Sequence, residues 1–208
     1  MIGKGNKQRE EGRLFVSDGL FSMGGRMQED TVMLKNRLLR LYDYFSGDAD
    51  AASAHKVRQL AEKLVRGEFG VAFCGHFSAG KSRMINRLLG AMLLPSSPIP
   101  TSANLVYVRR GEEYAEARFR AGRPRRYLAP YDYDLVKSFC RDGTAIESIE
   151  ISTAAAALPE GVVLMDTPGI DSTDAAHRLA TEEAIHLADL IFYVMDYNHV
   201  QSEESFLF

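Results

Sequence analysis

The eight residues Gly75-His76-Phe77-Ser78-Ala79-Gly80-Lys81-Ser82 constrain the fold of this chain more than any other stretch. They follow the apolar run Val71-Ala72-Phe73-Cys74 and precede Ile85, Leu88 and Leu89 at helical spacing, so the local order is strand, glycine-rich loop, helix. The spacing GxxxxGK[ST] is complete, and each fixed position has a physical task. Gly75 and Gly80 permit backbone conformations that turn successive amide N–H groups inward, which makes a concave anion site at a helix N-terminus. Lys81 then brings a compact positive charge to the β- and γ-phosphates of a nucleotide, and the Ser82 hydroxyl can ligate Mg²⁺. His76, Phe77 and Ala79 fill positions where the backbone does the binding, and His76 is read as structural.

A second motif, Asp166-Thr167-Pro168-Gly169, follows the apolar run Val162 to Met165. Asp166 is thereby expected at the carboxyl end of a buried strand, where ligands of α/β sheets gather, and placed to hold Mg²⁺. The backbone N–H of Gly169 can approach a γ-phosphate and register its loss, which would make the following loop a switch. Between the two motifs, Pro95, Pro98 and Pro100 exclude regular structure, and Thr101 in that loop is placed to complete Mg²⁺ coordination and orient an attacking water. Ile170, next after the DxxG glycine, has no polar group with which to orient water.

The rest of the chain fits an α/β fold of the P-loop NTPase kind, a doubly wound sheet with preceding helices. Residues 1–26 carry scattered glycines and charges without periodicity and read as a flexible arm. Residues 27–66 read as a helical segment: Met27 to Phe45 repeats apolar residues every three or four positions, and Val57, Leu60, Ala61, Leu64 and Val65 line a second helix stopped at Gly67. Residues 67–208 read as the nucleotide-binding domain. Within it, Leu105 to Val108 and Tyr114 to Phe119 read as strands turned at Arg110-Gly111, and Tyr131 to Arg141 as a helix. Ile149 and Ile151 alternate with polar residues like a half-buried edge strand. Leu190 to Met195, like Val162 to Met165, has the look of a buried parallel strand, with a helix from Thr173 to His186 between them.

Charge and cysteine content narrow the class. With 25 basic and 28 acidic residues the formal charge is −3, which gives no global electrostatic reason to expect a nucleic-acid partner. The two cysteines, Cys74 and Cys140, have neither disulfide-framework nor zinc-ligand spacing, and a reducing cytoplasm fits them. No run of apolar residues is long enough to cross a bilayer, so membrane contact by this stretch is expected to be peripheral and liposome binding weak. Arg118, Arg120, Arg123, Arg125 and Arg126 cluster around Gly122 and Pro124; a solvated face is the plain reading, phospholipid or partner contact the alternative. Tyr127, Tyr131 and Tyr133 beside them read as an ordinary packed loop.

GHFSAGKS, LPSSPIPTSANLV, LMDTPGIDS and YVMDYNHVQSEE together resemble the GTPase head of bacterial dynamin-like proteins, over roughly Met27 to Phe208. The resemblance implies that Gly75 to Ser82 bind the phosphates of GTP or GDP, and that Thr101 and Asp166 to Gly169 hold Mg²⁺ and water. It also implies that two heads dimerise across the nucleotide. Ser78 matches a serine that helps bind a charge-compensating K⁺ or Na⁺ in such heads, whereas Phe77 stands where many eukaryotic dynamins have a glutamine. The resemblance further implies a helical bundle, begun by residues 27–66, that links nucleotide state to membrane remodelling, tethering or fusion through lipid-binding regions absent here, at the inner face of the cell membrane.

The base-reading tetrapeptide [NT]KxD does not occur in these 208 residues, so guanine specificity is an inference from resemblance. With Phe208 at what looks like the start of a helix, the stretch reads as a head truncated before that motif, with apolar surface left to be covered. Two other readings follow. One is a catalytically impaired head serving as a nucleotide-regulated or scaffold module. The other, an ATP-using P-loop enzyme, is disfavoured by DTPG and PTSA together.

Overall fold

The structure, a computed structural model, describes residues 29–95, 104–141, 145–169 and 175–196. The chain divides into two compact units, Met1–Val65 and Arg66–Phe208. The first holds helix α1, through residues 29–47, and all but the last residue of α2, Ala51–Arg66. The Asp50 carboxylate accepts from the Ser53 N–H at 3.0 Å and so caps the start of α2. Ala54 and Val57 are its buried residues, as the apolar spacing requires.

The second unit is built on a seven-stranded sheet in the order β4-β3-β5-β2-β6-β1-β7. Its strands are β1 Phe69–Cys74, β2 Leu105–Arg110, β3 Tyr114–Phe119, β4 Arg125–Leu128, β5 Ile146–Thr153, β6 Val162–Asp166 and β7 Leu190–Tyr193. Helices α3 Lys81–Leu89, α4 Tyr133–Arg141 and α5 Ala175–Leu187 complete it. β1 is parallel to both β6 and β7, while β2 runs antiparallel to β6, and β3 is antiparallel to both β4 and β5. The sheet is therefore mixed.

The period of two along each strand splits the core between two faces. Val71 and Phe73 of β1 pack with Ile85 and Leu89 of α3, Val136 and Cys140 of α4, and Ile149 and Ile151 of β5. Ala72 and Cys74 face the other way, with Leu105, Val163, Met165 and Ala184 of α5. Phe73 is fully buried and stacks on Phe192 of β7 at 5.3 Å.

Three expectations change. β5 is no edge strand: it lies between β3 and β2, and seven of its eight residues are buried, because its polar side chains meet partners from those neighbours. β7 is parallel as expected but lies at the end of the sheet, where Leu190, Ile191 and Phe192 are 44%, 43% and 41% exposed. β4 was not foreseen; it forms because Gly122 and Pro124 turn the chain back so that Arg126 registers with Glu116. The arm over 1–26, the end of the chain after residue 196, Thr101 and Ile170 lie outside the described residues.

Candidate nucleotide-binding site

β1 and β6 are adjacent and parallel, with Phe73 in register with Asp166, so the loops leaving their carboxyl ends begin side by side. That register brings the two sequence motifs together. Thr167 fastens the junction: its N–H and its Oγ1 both donate to the Phe73 carbonyl, at 3.3 and 2.9 Å, and the side chain is fully buried.

The loop 75–80 turns through the backbone space that its residues allow. Gly75 has φ 142° and Gly80 φ 94°, both in the region that side chains rarely enter, and Ser78 has φ 63°. A Cβ on Gly75 would lie 2.1 Å from the Val194 carbonyl oxygen. Gly80 is the N-cap of α3, which leaves the first amides of that helix pointing at the loop.

Lys81 is buried, and its Nζ donates to the carbonyls of Gly75 and His76 at 2.9 Å each, which holds the ammonium over the loop. Ser82 Oγ donates to Asp166 Oδ2 at 2.5 Å. Asp166 is 1% exposed and its other oxygen, Oδ1, has no hydrogen-bond partner among the described residues. Burial pushes the Asp166 carboxyl up to about 6, against the opposing pull of Lys81 and the Ser82 hydroxyl. A hydroxyl and an unsatisfied carboxylate in contact are hard oxygen donors, and they fit a small divalent cation such as Mg²⁺. His76 is buried, Ser78 is exposed at the bend of the loop, Phe77 and Ala79 are partly exposed, and Pro168 and Gly169 are buried beside Asp166.

A family model described as the dynamin family matches residues 71–208. The chain belongs to the dynamin family. Dynamin-like protein A of Bacillus subtilis (strain 168) is 44% identical over 168 residues, which make up 81% of this chain and 14% of that protein. Dynamin-like protein 1 of Campylobacter jejuni (strain 81-176) is 24% identical over 179 residues, 68% of this chain and 25% of that protein. A solved structure of an oligomerised bacterial dynamin pair shares the fold at a TM-score of 0.56 and 20% identity, covering 86% of this chain and 36% of that one. The chain thus spans between 14% and 36% of the lengths of these relatives.

The G domains of the dynamin family are GTPases, and the loop 75–80, helix α3 and all but the first two residues of β1 fall inside the matched region. One residue near this dynamin-type loop escaped sequence reasoning. Asn86 of α3, one turn beyond Ser82, is buried; its Oδ1 accepts from the N–H groups of Leu93 and Leu94 at 3.0 and 2.8 Å, and its Nδ2 donates to the Leu94 carbonyl at 2.7 Å. The clamp fixes where the chain leaves α3. A polar residue set between Ile85 and Leu89 on a buried helix face was the signal for it.

Proposed function

We propose that this chain is the GTP-binding and GTP-hydrolysing part of a bacterial dynamin-like protein. The observation that carries the reading is the contact of Ser82 with Asp166, whose second carboxylate oxygen is buried without a partner, beside the buried ammonium of Lys81. In this reading Lys81 and the backbone amides of residues 75–82 bind the β- and γ-phosphates, and Ser82, Asp166 and Thr101 ligate Mg²⁺. Mg²⁺ supplies neutralisation of the phosphate charge that develops during transfer. Thr167 holds the Asp166 loop against β1, its hydroxyl also donating to the Pro168 carbonyl, and in this reading Gly169 offers its N–H to the γ-phosphate. In this reading Ser78, exposed at the bend, takes part in binding K⁺ or Na⁺.

Catalysis through Thr101 and Ser78 in a head-to-head homodimer, membrane remodelling or tethering, and a position on the inner face of the cell membrane are further parts of this reading. The dynamin family supports them, as does a structural neighbour described in terms of long-range sensing and tethering of membranes. Among the described residues no helix is long and apolar enough to cross a membrane.

The test is titration calorimetry with Mg²⁺ and K⁺ for GDP, a non-hydrolysable GTP analogue and its ATP counterpart, followed by turnover at several protein concentrations. Guanine-selective binding that is lost in Lys81→Ala, with turnover rising per molecule as concentration rises, is expected. Failure of the wild-type chain to bind nucleotide would instead support an impaired head that acts as an interaction module.

A further inference from the structure

The β3–β4 hairpin carries a charge arrangement that the nucleotide site does not use. Between Ala117 and Tyr131 there is no acidic residue, while Arg118, Arg120, Arg123, Arg125 and Arg126 fall within nine positions. The structure sorts these five. Arg126 ion-pairs with the buried Glu116 at 2.8 Å, and Arg118 pairs with Glu116 at 3.4 Å and with the buried Glu150 at 3.7 Å. Two arginines are therefore neutralised by the sheet.

The other three have no acidic partner among the described residues. Arg120 and Arg123 sit at the exposed tip around Gly122, and no described acidic residue pairs with either. Arg125 lies over the Phe119 ring at 5.3 Å, and no described acidic residue pairs with it. On β4, Tyr127 is half-buried against Phe139, and Leu128, 71% exposed, pairs with Tyr114 at the end of the hairpin away from the tip. β4 is the outermost strand, at the end of the sheet away from β1 and its loop, so a partner seated here leaves the nucleotide site open.

We propose that the tip formed by Arg120, Arg123 and Arg125 is a docking surface for an anionic phospholipid bilayer. Guanidinium groups present planar, paired N–H donors that match the phosphate oxygens of lipid headgroups. A long polyanion such as nucleic acid fits less well, because the basic tip is small and short compared with the track of phosphates along a strand. Contact is by adsorption without insertion, and so it weakens with salt. Each arginine near an anionic surface is worth about fivefold in partitioning, which makes the three together worth about two orders of magnitude. The surface extends the proposed membrane coupling by giving the head its own point of contact, and it rests on that reading only for its biological use.

The experiment is co-sedimentation of the chain with vesicles of phosphatidylcholine alone and of phosphatidylcholine with an equal part of phosphatidylglycerol, at low and at near-physiological salt. The triple variant Arg120→Glu, Arg123→Glu, Arg125→Glu is compared with a control of equal charge change, Arg37→Glu, Arg40→Glu, Arg178→Glu, whose side chains are all exposed elsewhere. Binding to anionic vesicles at low salt that falls at least thirtyfold in the hairpin variant and less than threefold in the control is expected. No binding of the wild type, or equal losses in both variants, overturns the proposal, and equal or tighter binding to a DNA oligonucleotide overturns the choice of lipid. Thermal melting of both variants confirms that they fold. GDP binding, measured in the same samples, reports on the nucleotide reading separately, so either reading can fail alone.

Discussion

Ser82 Oγ and Asp166 Oδ2 meet at 2.5 Å across the carboxyl ends of β1 and β6, while Asp166 Oδ1 is buried with no partner among the described residues. An ionised carboxylate with an unsatisfied buried oxygen is a cost in the cation-free protein, of about 1–3 kcal/mol. Asp166→Asn removes that charge at constant shape. The variant is expected to melt higher than wild type in EDTA by scanning calorimetry, and to lose the stabilisation that added Mg²⁺ and GDP give the wild type. Equal melting temperatures in EDTA would mean that Asp166 is satisfied in solution.

Gly75 approaches Val194 more closely than any side chain permits, with the Val194 carbonyl oxygen 2.1 Å from where a Cβ would stand and φ at 142°. The neighbouring Val194 N–H donates to the Cys74 carbonyl at 2.7 Å, so the obstructing atom is backbone held by the sheet. Gly75→Ala should destabilise the fold by about 3 kcal/mol or more, measured by urea denaturation, and abolish nucleotide binding. Gly122→Ala serves as control: its φ is likewise positive at 118°, but it has open space around its Cβ, so only backbone strain remains.

Asn86 spends three hydrogen bonds on Leu93 and Leu94, and Leu94 is fully buried. Asn86→Ala leaves two N–H groups and a carbonyl without those partners, and should cost about 2–3 kcal/mol in chemical denaturation. Asn86→Asp keeps both accepted bonds but sets a buried carboxylate oxygen against the Leu94 carbonyl, so it should be destabilising too and should not restore the wild-type stability. Amide exchange of Leu93 and Leu94 should accelerate in the alanine variant.

These residues mark how far the sequence could be read. The glycine loop, its strand and helix, and Asp166 were legible because each rests on a local pattern: a spacing, an apolar run, a position at the end of that run. The place of β5 was not, because Glu150, Ser148 and Ser152 are polar by composition yet buried by neighbours from β2 and β3, and strand order is not written in alternation. β4 was missed for a related reason. Arg125-Arg126-Tyr127-Leu128 has no strand pattern of its own and is held by pairing with β3 and by the Glu116 carboxylate. β7 was read as buried from its apolar residues, but an apolar run says nothing about how many neighbours a strand has in the sheet.

Glu150 provides the pH prediction. Its carboxylate accepts from the Tyr114 hydroxyl at 2.5 Å and pairs with Arg109 at 3.2 Å and Arg118 at 3.7 Å. Burial alone would raise its titration, but Tyr114, Arg109 and Arg118 outweigh burial and hold the carboxyl below its ordinary value of 4.5. A carboxyl depressed on folding adds stability that is fully present above its unfolded value and is lost as pH falls through the folded one. Glu150→Gln keeps the shape and removes the charge, so at pH 7 it should destabilise the protein by about 1.5–3 kcal/mol. The difference from wild type should stay constant down to about pH 5 and shrink below it as the wild-type carboxyl becomes neutral. Urea denaturation of both proteins from pH 7 to pH 3 measures this directly. A difference that persists unchanged at pH 3 would show that the loss in the variant comes from amide packing, with no contribution from the charge held between the two arginines.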